Sequence, residues 1–202
     1  MGVCDTPLRN CINKFSVLFL SVSHLIRSKF IGMRVIDICK ETIDTLKLNT
    51  DIESFYNKRI QLFLDIVKDE LEALPGLIES LKLFQSNNFK IALASSGAKK
   101  YIDLVLDKFN LRDYFDVIVS GDCVKIGKPN PETYLVASKK LNFKPEECVV
   151  LEDAKNGIES AINAGCKCIA IINTNTPPQD RSKANMILDS LKEITLEKIN
   201  SL

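Results

Sequence analysis

The sequence predicts an α/β fold, a parallel sheet with helices on both faces, joined to a preceding helical block. Three observations carry this. From Pro75 onward, short apolar runs alternate with amphipathic segments. Those runs are continuously apolar rather than alternating, the pattern of strands buried on both faces. From Thr42 to Leu74 the apolar residues step instead by three and four, the period of a helix, with no strand signal between them.

The elements run in order along the chain. Ile43 and Leu46 begin the helical stepping, and Phe55, Tyr56, Ile60, Phe63, Val67, Leu71 and Leu74 continue it, with a break at Asn49-Thr50-Asp51. This gives two helices in a block spanning residues 8–74. After Pro75-Gly76, Leu77–Gln85 reads as helix and Phe89–Ala94 as a strand ending in Ser95-Ser96-Gly97. Lys99–Phe109 is helical, with Ile102, Val105, Leu106 and Phe109 on one side. Asp116–Ser120 is a strand ending in Gly121-Asp122. Asn130-Pro131 reads as an N-cap followed by proline at the first helical position, opening a helix to Leu141. Cys148–Leu151 is a strand that ends abruptly in two carboxylates, Glu152 and Asp153, after which the chain turns at Asn156-Gly157. A helix over Ala154–Ala164 is stopped by Gly165. Cys168–Ile172 and the short Met186–Leu188 complete the strands.

Composition narrows the function. With 202 residues, 46% of them hydrophobic and 26% charged, the chain builds one core, or a core and a small appended domain. A net charge of +1 gives no electrostatic case for nucleic acid or a membrane surface. The single His24 rules out a histidine metal cluster or a His-dependent triad. Seven scattered cysteines fit free thiols in a reducing cytoplasm better than a disulfide framework, and no zinc spacing occurs. Phe15–Val22 is apolar but too short to span a bilayer, and no small-residue cleavage pattern comes after it. It reads as a buried helix or strand, with targeting as the alternative. A cytoplasmic monomer is the expectation.

In an open α/β sheet, ligands bind outside the carboxyl ends of the strands. At those ends stand Ser95 and Ser96, then a loop carrying Lys128, then Glu152 and Asp153. A hydroxyl, an ammonium and two carboxylates at one edge suit a phosphate bridged to a divalent cation. Ser95 and nearby backbone N–H groups donate to phosphate oxygens, and Lys128 supplies fixed positive charge. Glu152 and Asp153 are hard oxygen ligands of the kind Mg²⁺ prefers. Taken singly, each has a plainer reading, because serines cap helices, lysines are solvated and acidic residues open helices. Together, at three successive strand ends, they are harder to set aside.

In this order, "LASSG", "GKPNPETY" and "VVLEDAKNGIESAINAG" resemble motifs two, three and four of the haloacid dehalogenase superfamily. The resemblance is closest to its β-phosphoglucomutase-like phosphatases and mutases. "FIGMR" and "LPGL" resemble that group's helical cap and its exit, so the resemblance runs from about Phe30 to Ile172. It implies a Rossmann-like core over residues 75–202, an inserted cap over 8–74 and a Mg²⁺-dependent aspartyl-phosphate mechanism. By family match, Ser95, Ser96 and Lys128 hold the phosphoryl group, and Glu152 and Asp153 hold Mg²⁺. Arg34 and Lys58-Arg59 are cap cations that face the substrate or, equally, form solvated helix surface.

One part of the family pattern is missing. The nucleophile and the acid/base group belong to an Asp-x-Asp-Gly at the end of the first strand. Residues 1–7, "MGVCDTP", resemble only the stretch downstream of that motif, and no Asp-x-Asp pair occurs in the sequence. Ser95, Lys128 and a metal position and neutralise charge but do not attack. The expectation is an N-terminally truncated phosphatase of a small phosphorylated metabolite such as a sugar phosphate, inactive in this form. A phosphosugar mutase and a phosphate-binding pseudoenzyme are the alternatives. A dehalogenase fits less well, because its chemistry uses no Mg²⁺. A phosphoacceptor receiver domain fails on the order of its acidic pair and lysine. The family's first strand lies between the strands ending at Ala94 and Leu151, so its loss leaves two interior edges unpaired.

Overall fold

The computed structural model describes residues 30–67 and 71–202. Expectations for residues 1–7 and 15–22, and for the helical block before Phe30, lie outside the described residues. Two helices precede the alternating part of the chain, α1 (Val35–Leu46) and α2 (Ile52–Val67). The break between them falls where the periodicity places it, while α1 starts at Val35, ahead of the Thr42 at which the stepping becomes visible. Lys47 adopts the left-handed conformation (φ 50°) and ends α1. Asp51 Oδ1 accepts from the Ser54 amide at 2.8 Å and opens α2, the usual carboxylate cap.

The core alternates as expected: α3 (Leu77–Ser86), β1 (Ala92–Ala94), α4 (Lys99–Lys108), β2 (Val117–Val119), α5 (Glu132–Leu141), β3 (Val149–Glu152), α6 (Lys155–Asn163), β4 (Lys167–Ile171), β5 (Met186–Leu188) and α7 (Leu196–Asn200). Helices α3 to α6 end alike. A left-handed residue comes after each of them: Asn88, Asn110, Asn142 and Gly165. The next amide then reaches back to a carbonyl of the last turn, as from Phe89 to Phe84 and from Cys166 to Ala161. Asparagine and glycine bear that conformation at least cost, which is why these residues punctuate the sequence.

Among the described residues all strand pairs are parallel. β1 pairs β2 with Ala92 opposite Val117, and β4 lies between β3 and β5. Among the described residues, β1 and β3 each have a strand neighbour on one side only. Successive strand residues go to opposite faces. Leu93, Leu151, Ile169 and Leu188 pack with Leu81 and Leu106 of α3 and α4. Ala94, Val150, Cys168 and Ala170 pack with Tyr134, Ile158 and Ala161 of α5 and α6. Helices therefore cover both faces, one over large aliphatic side chains and the other over small ones. Burying one such leucine contributes about 1.5–3 kcal/mol. Helix α2 meets the core through Phe63, edge-to-face on Tyr101 of α4 with ring centroids 5.0 Å apart.

Candidate active site at the carboxyl edge of the sheet

Three strand ends converge. Ser95 follows β1, and its amide donates to the Val119 carbonyl of β2 at 2.9 Å. Its hydroxyl accepts from the Gly97 amide at 3.0 Å, which folds the Ser95–Gly97 turn back on itself. The loop after β2 brings in Lys128, which is 5% exposed although charged. Such burial requires partners. Its ammonium donates to Glu152 Oε1 at 2.6 Å, to the Tyr134 hydroxyl at 2.8 Å and to the Ala94 carbonyl at 3.3 Å. Lys128 thus ties the end of β1 to the end of β3.

Glu152, the last residue of β3, is 4% exposed. Oε1 takes Lys128 and the Tyr134 hydroxyl (3.0 Å), and Oε2 takes the amides of Asp153 (2.9 Å) and Ala154 (3.0 Å). Burial pushes its carboxyl up, but the Lys128 charge and hydrogen bond and the Ala154 amide outweigh it and hold the group below the usual carboxylate range. Burial, followed by the Glu152 charge, drives Tyr134 well above the ordinary phenol value, so it stays a donor.

Asn156-Gly157 is not a turn: both residues lie inside α6. Gly157 is required for a different reason. A Cβ there would overlap the Glu152 carboxylate, so the glycine makes room for the ion pair.

Asp153 stands beside this network and is half-buried. Asn173, itself 4% exposed and just past β4, donates to Asp153 Oδ2 at 2.8 Å, and its own Oδ1 accepts from the Asn175 amide. The two neighbouring carboxylates therefore differ. Glu152 has both oxygens filled by four protein donors, and the Asp153 carboxylate is oriented by the Asn173 amide. Among the described residues no group of three or more acidic, histidine or cysteine side chains gathers as a metal cage. One oriented carboxylate still fits Mg²⁺, which keeps several waters and binds through one or two carboxylates plus phosphate oxygens. Asp153 suits that role, and Glu152 is engaged elsewhere.

Other predicted site residues sit differently. The Ser96 hydroxyl donates to the Gly32 carbonyl at 2.7 Å. Arg34 is 9% exposed, and its guanidinium is held by both Asp37 carboxylate oxygens at 2.7 Å and by the Val124 carbonyl at 2.5 Å. Lys58 is exposed on α2. A cleft of about 540 Å³ is lined among others by Arg34, Tyr56, Asn57, Lys100, Asp122 and Val124, but not by Lys58. At its wall Tyr56 donates to Asp122 Oδ1 at 2.9 Å, while Asp122 Oδ2 accepts from the Lys99 amide that opens α4.

Sequence reasoning missed Tyr134 and Asn173. Tyr134 lies within the "GKPNPETY" stretch, six residues past Lys128. Asn173 emerges when the strand-end rule is applied to β4 as it is to the first three strands.

Residues 10–171 match the family model described as haloacid dehalogenase-like hydrolase. The phosphorylated carbohydrates phosphatase of Thermotoga maritima is 37% identical over 131 residues, 63% of this chain and 59% of that protein. The matched part thus spans less than two thirds of that relative. The putative phosphatase YhcW of Bacillus subtilis is 35% identical over 181 residues, covering 90% of this chain and 80% of that one. A solved β-phosphoglucomutase from Clostridium difficile shares the fold, with a TM-score of 0.82 at 23% identity over 98% of this chain and 91% of its own.

Proposed function

The chain belongs to the haloacid dehalogenase-like hydrolases, and on that premise we propose that its strand-end cluster binds the phosphoryl group of a small phosphorylated carbohydrate for Mg²⁺-assisted hydrolysis. The observation that carries this reading is the buried Lys128–Glu152 pair, which fixes a cation between the ends of β1 and β3, beside Ser95 and Asp153. The name of the T. maritima relative supports phosphorylated carbohydrate as the substrate class, and that of the B. subtilis relative supports a phosphatase.

Each residue has a role. Ser95 and the turn amides donate to phosphoryl oxygens at the end of β1. Lys128 supplies positive charge from a site where neighbouring water is scarce, which strengthens its field. Glu152 and Tyr134 hold that ammonium in place. Asn173 orients Asp153, the carboxylate that would hold Mg²⁺; the bound ion would neutralise phosphate charge. The carbohydrate skeleton occupies the cleft under the cap segment, a volume within the usual range for small-ligand sites.

A second reading is favoured by a specific observation. The sequence contains no Asp-x-Asp pair, so residues 1–202 bind and orient phosphate without supplying the aspartyl nucleophile of the family.

Calorimetric titration of inorganic phosphate, with and without Mg²⁺, tests both readings. Phosphate binds, and more tightly with Mg²⁺; Asp153→Asn removes the Mg²⁺ effect. Ser95→Ala weakens phosphate by about tenfold to a hundredfold, the loss of one charge-assisted hydrogen bond. No binding under either condition sinks the proposal. Turnover of a generic aryl phosphate by residues 1–202 that Asp153→Asn abolishes supports the first reading and requires a nucleophile outside an Asp-x-Asp pair; phosphate binding without turnover supports the second.

A further inference from the structure

We propose that Cys148 and Cys166 form a dithiol site, which a small disulfide oxidant converts into a reversible intramolecular disulfide stapling β3 to β4. The site does not depend on phosphate binding at the carboxyl edge.

The ladder between β3 and β4 places Val149 opposite Lys167 and Val150 opposite Cys168. The Lys167 amide donates to the Cys148 carbonyl at 3.0 Å, which carries the same register one step back. Cys148 and Cys166 therefore stand opposite each other at the amino ends of two adjacent strands. Partners across this ladder share a face. Val150 and Cys168 lie in the cluster under α5 and α6, and Leu151 and Ile169 lie in the other. Cys166 and Cys148 pack in the first of these. Neighbouring strands are about 4.7–4.9 Å apart, within the Cα separation of about 4.4–6.8 Å that a disulfide spans. The adjoining turns meet as well, since a Cβ on Gly165 would stand 3.9 Å from the Pro145 Cβ. Among the described residues no other two cysteines are so related: Cys168 faces Val150, and Cys39 and Cys123 lie on other elements.

The two thiols are unequal. Cys148 is half-buried, whereas Cys166 is 5% exposed. An oxidant thus meets Cys148 first. The Cys148 thiolate attacks one sulfur of a small disulfide such as oxidised glutathione, forming a mixed disulfide and releasing one thiolate of the oxidant. The Cys166 thiolate then attacks the Cys148 sulfur and expels the second. The protein thiols lose two electrons to the oxidant, and their two protons leave on the two released thiols. Closure gives up only the weak donation from the Cys148 thiol to the Lys144 carbonyl at 3.4 Å. Burial, then Glu147 and Glu146, pushes the Cys148 thiol up, and burial, then Cys148 and Glu146, pushes Cys166 up to about 12. Thiolate is scarce at neutral pH, so the pair closes under sustained oxidation rather than as a fast sensor. The staple lies at the end of the β3–β4 pair away from Glu152 and encloses β3 and α6 in one covalent loop.

Incubation of the full 202-residue chain with excess oxidised glutathione under native conditions, followed by peptide mapping without reductant, tests this. A Cys148–Cys166 cross-link is expected, and dithiothreitol reverses it. The oxidised chain melts about 3–10 °C higher, because the cross-link constrains the unfolded chain. Cys166→Ser stops at the mixed disulfide, retains glutathione on Cys148 and shows no such rise. A wild-type chain in which both thiols stay free, or in which glutathione remains on Cys148, overturns the proposal. So does a Cys148–Cys166 cross-link that forms only in urea, or a cross-link of Cys148 to any other cysteine. A native cross-link that leaves the melting temperature unchanged also overturns it, because the strands would then not be stapled.

Discussion

The carboxyl edge of the sheet and the seam between helices α1 and α2 and the core both carry polar contacts, yet on opposite terms. At the edge, Lys128 and Glu152 are almost fully buried and every partner is internal to the fold. At the seam, the Tyr56–Asp122 contact is exposed and borders an open cleft. Burial raises both the strength of an ion pair and the penalty for leaving one member alone, while exposed pairs are screened and contribute little. The buried pair is thus costly to disturb, while the Tyr56–Asp122 contact can be lost at little cost.

The sharpest way to break this contrast is to remove one member of the buried pair. Lys128→Met leaves Glu152 charged and unpaired, at a cost of about 3–5 kcal/mol in urea unfolding. The double variant Lys128→Met with Glu152→Met lies much closer to wild type, because no orphaned charge remains. The pH dependence carries the same signature. Glu152 titrates lower folded than unfolded, so its stabilisation is present above its unfolded value of about 4.3 and is lost as pH falls through the lower folded value. Glu152→Gln flattens that acid limb of the stability curve. If single and double variants prove equally unstable, the pair does not govern the edge.

A smaller effect comes from Gly157. Alanine in a helix interior is ordinarily better than glycine by about 1 kcal/mol. Here its Cβ would meet the Glu152 carboxylate, so Gly157→Ala destabilises by about 1–3 kcal/mol, as overpacking does. A gain in melting temperature would show that the carboxylate moves aside easily.

The smallest effect belongs to the seam. Tyr56→Phe removes one exposed hydrogen bond and costs about 0.5–1.5 kcal/mol or less in the same urea assay. A loss as large as that of Lys128→Met would erase the distinction between the two regions.

Much of the fold is legible in the sequence, and the reason is local. Apolar runs mark the strands to within a few residues, and Asn88, Asn110, Asn142 and Gly165 end four helices where left-handed backbone is needed. The candidate residues Ser95, Lys128, Glu152 and Asp153 all fall at the carboxyl edge, because a strand's end can be read from the strand. The helices before the core are less legible. Arg34 and Lys58 look alike as helix cations, but one is locked between Asp37 and Val124 and the other is exposed on α2.

The order of the elements, the polar residues at each strand end and the family are written in the linear pattern of the chain. How those side chains are spent is settled by packing alone. Glu152 is filled by Lys128, Tyr134 and two amides, Ser96 turns to Gly32, and Asn156 reaches back to Ile31, 125 positions away in sequence. Periodicity and capping act over a few residues and leave their mark in any short window. A hydroxyl's choice between a ligand and a distant carbonyl depends on where two loops pack, and no local pattern records that.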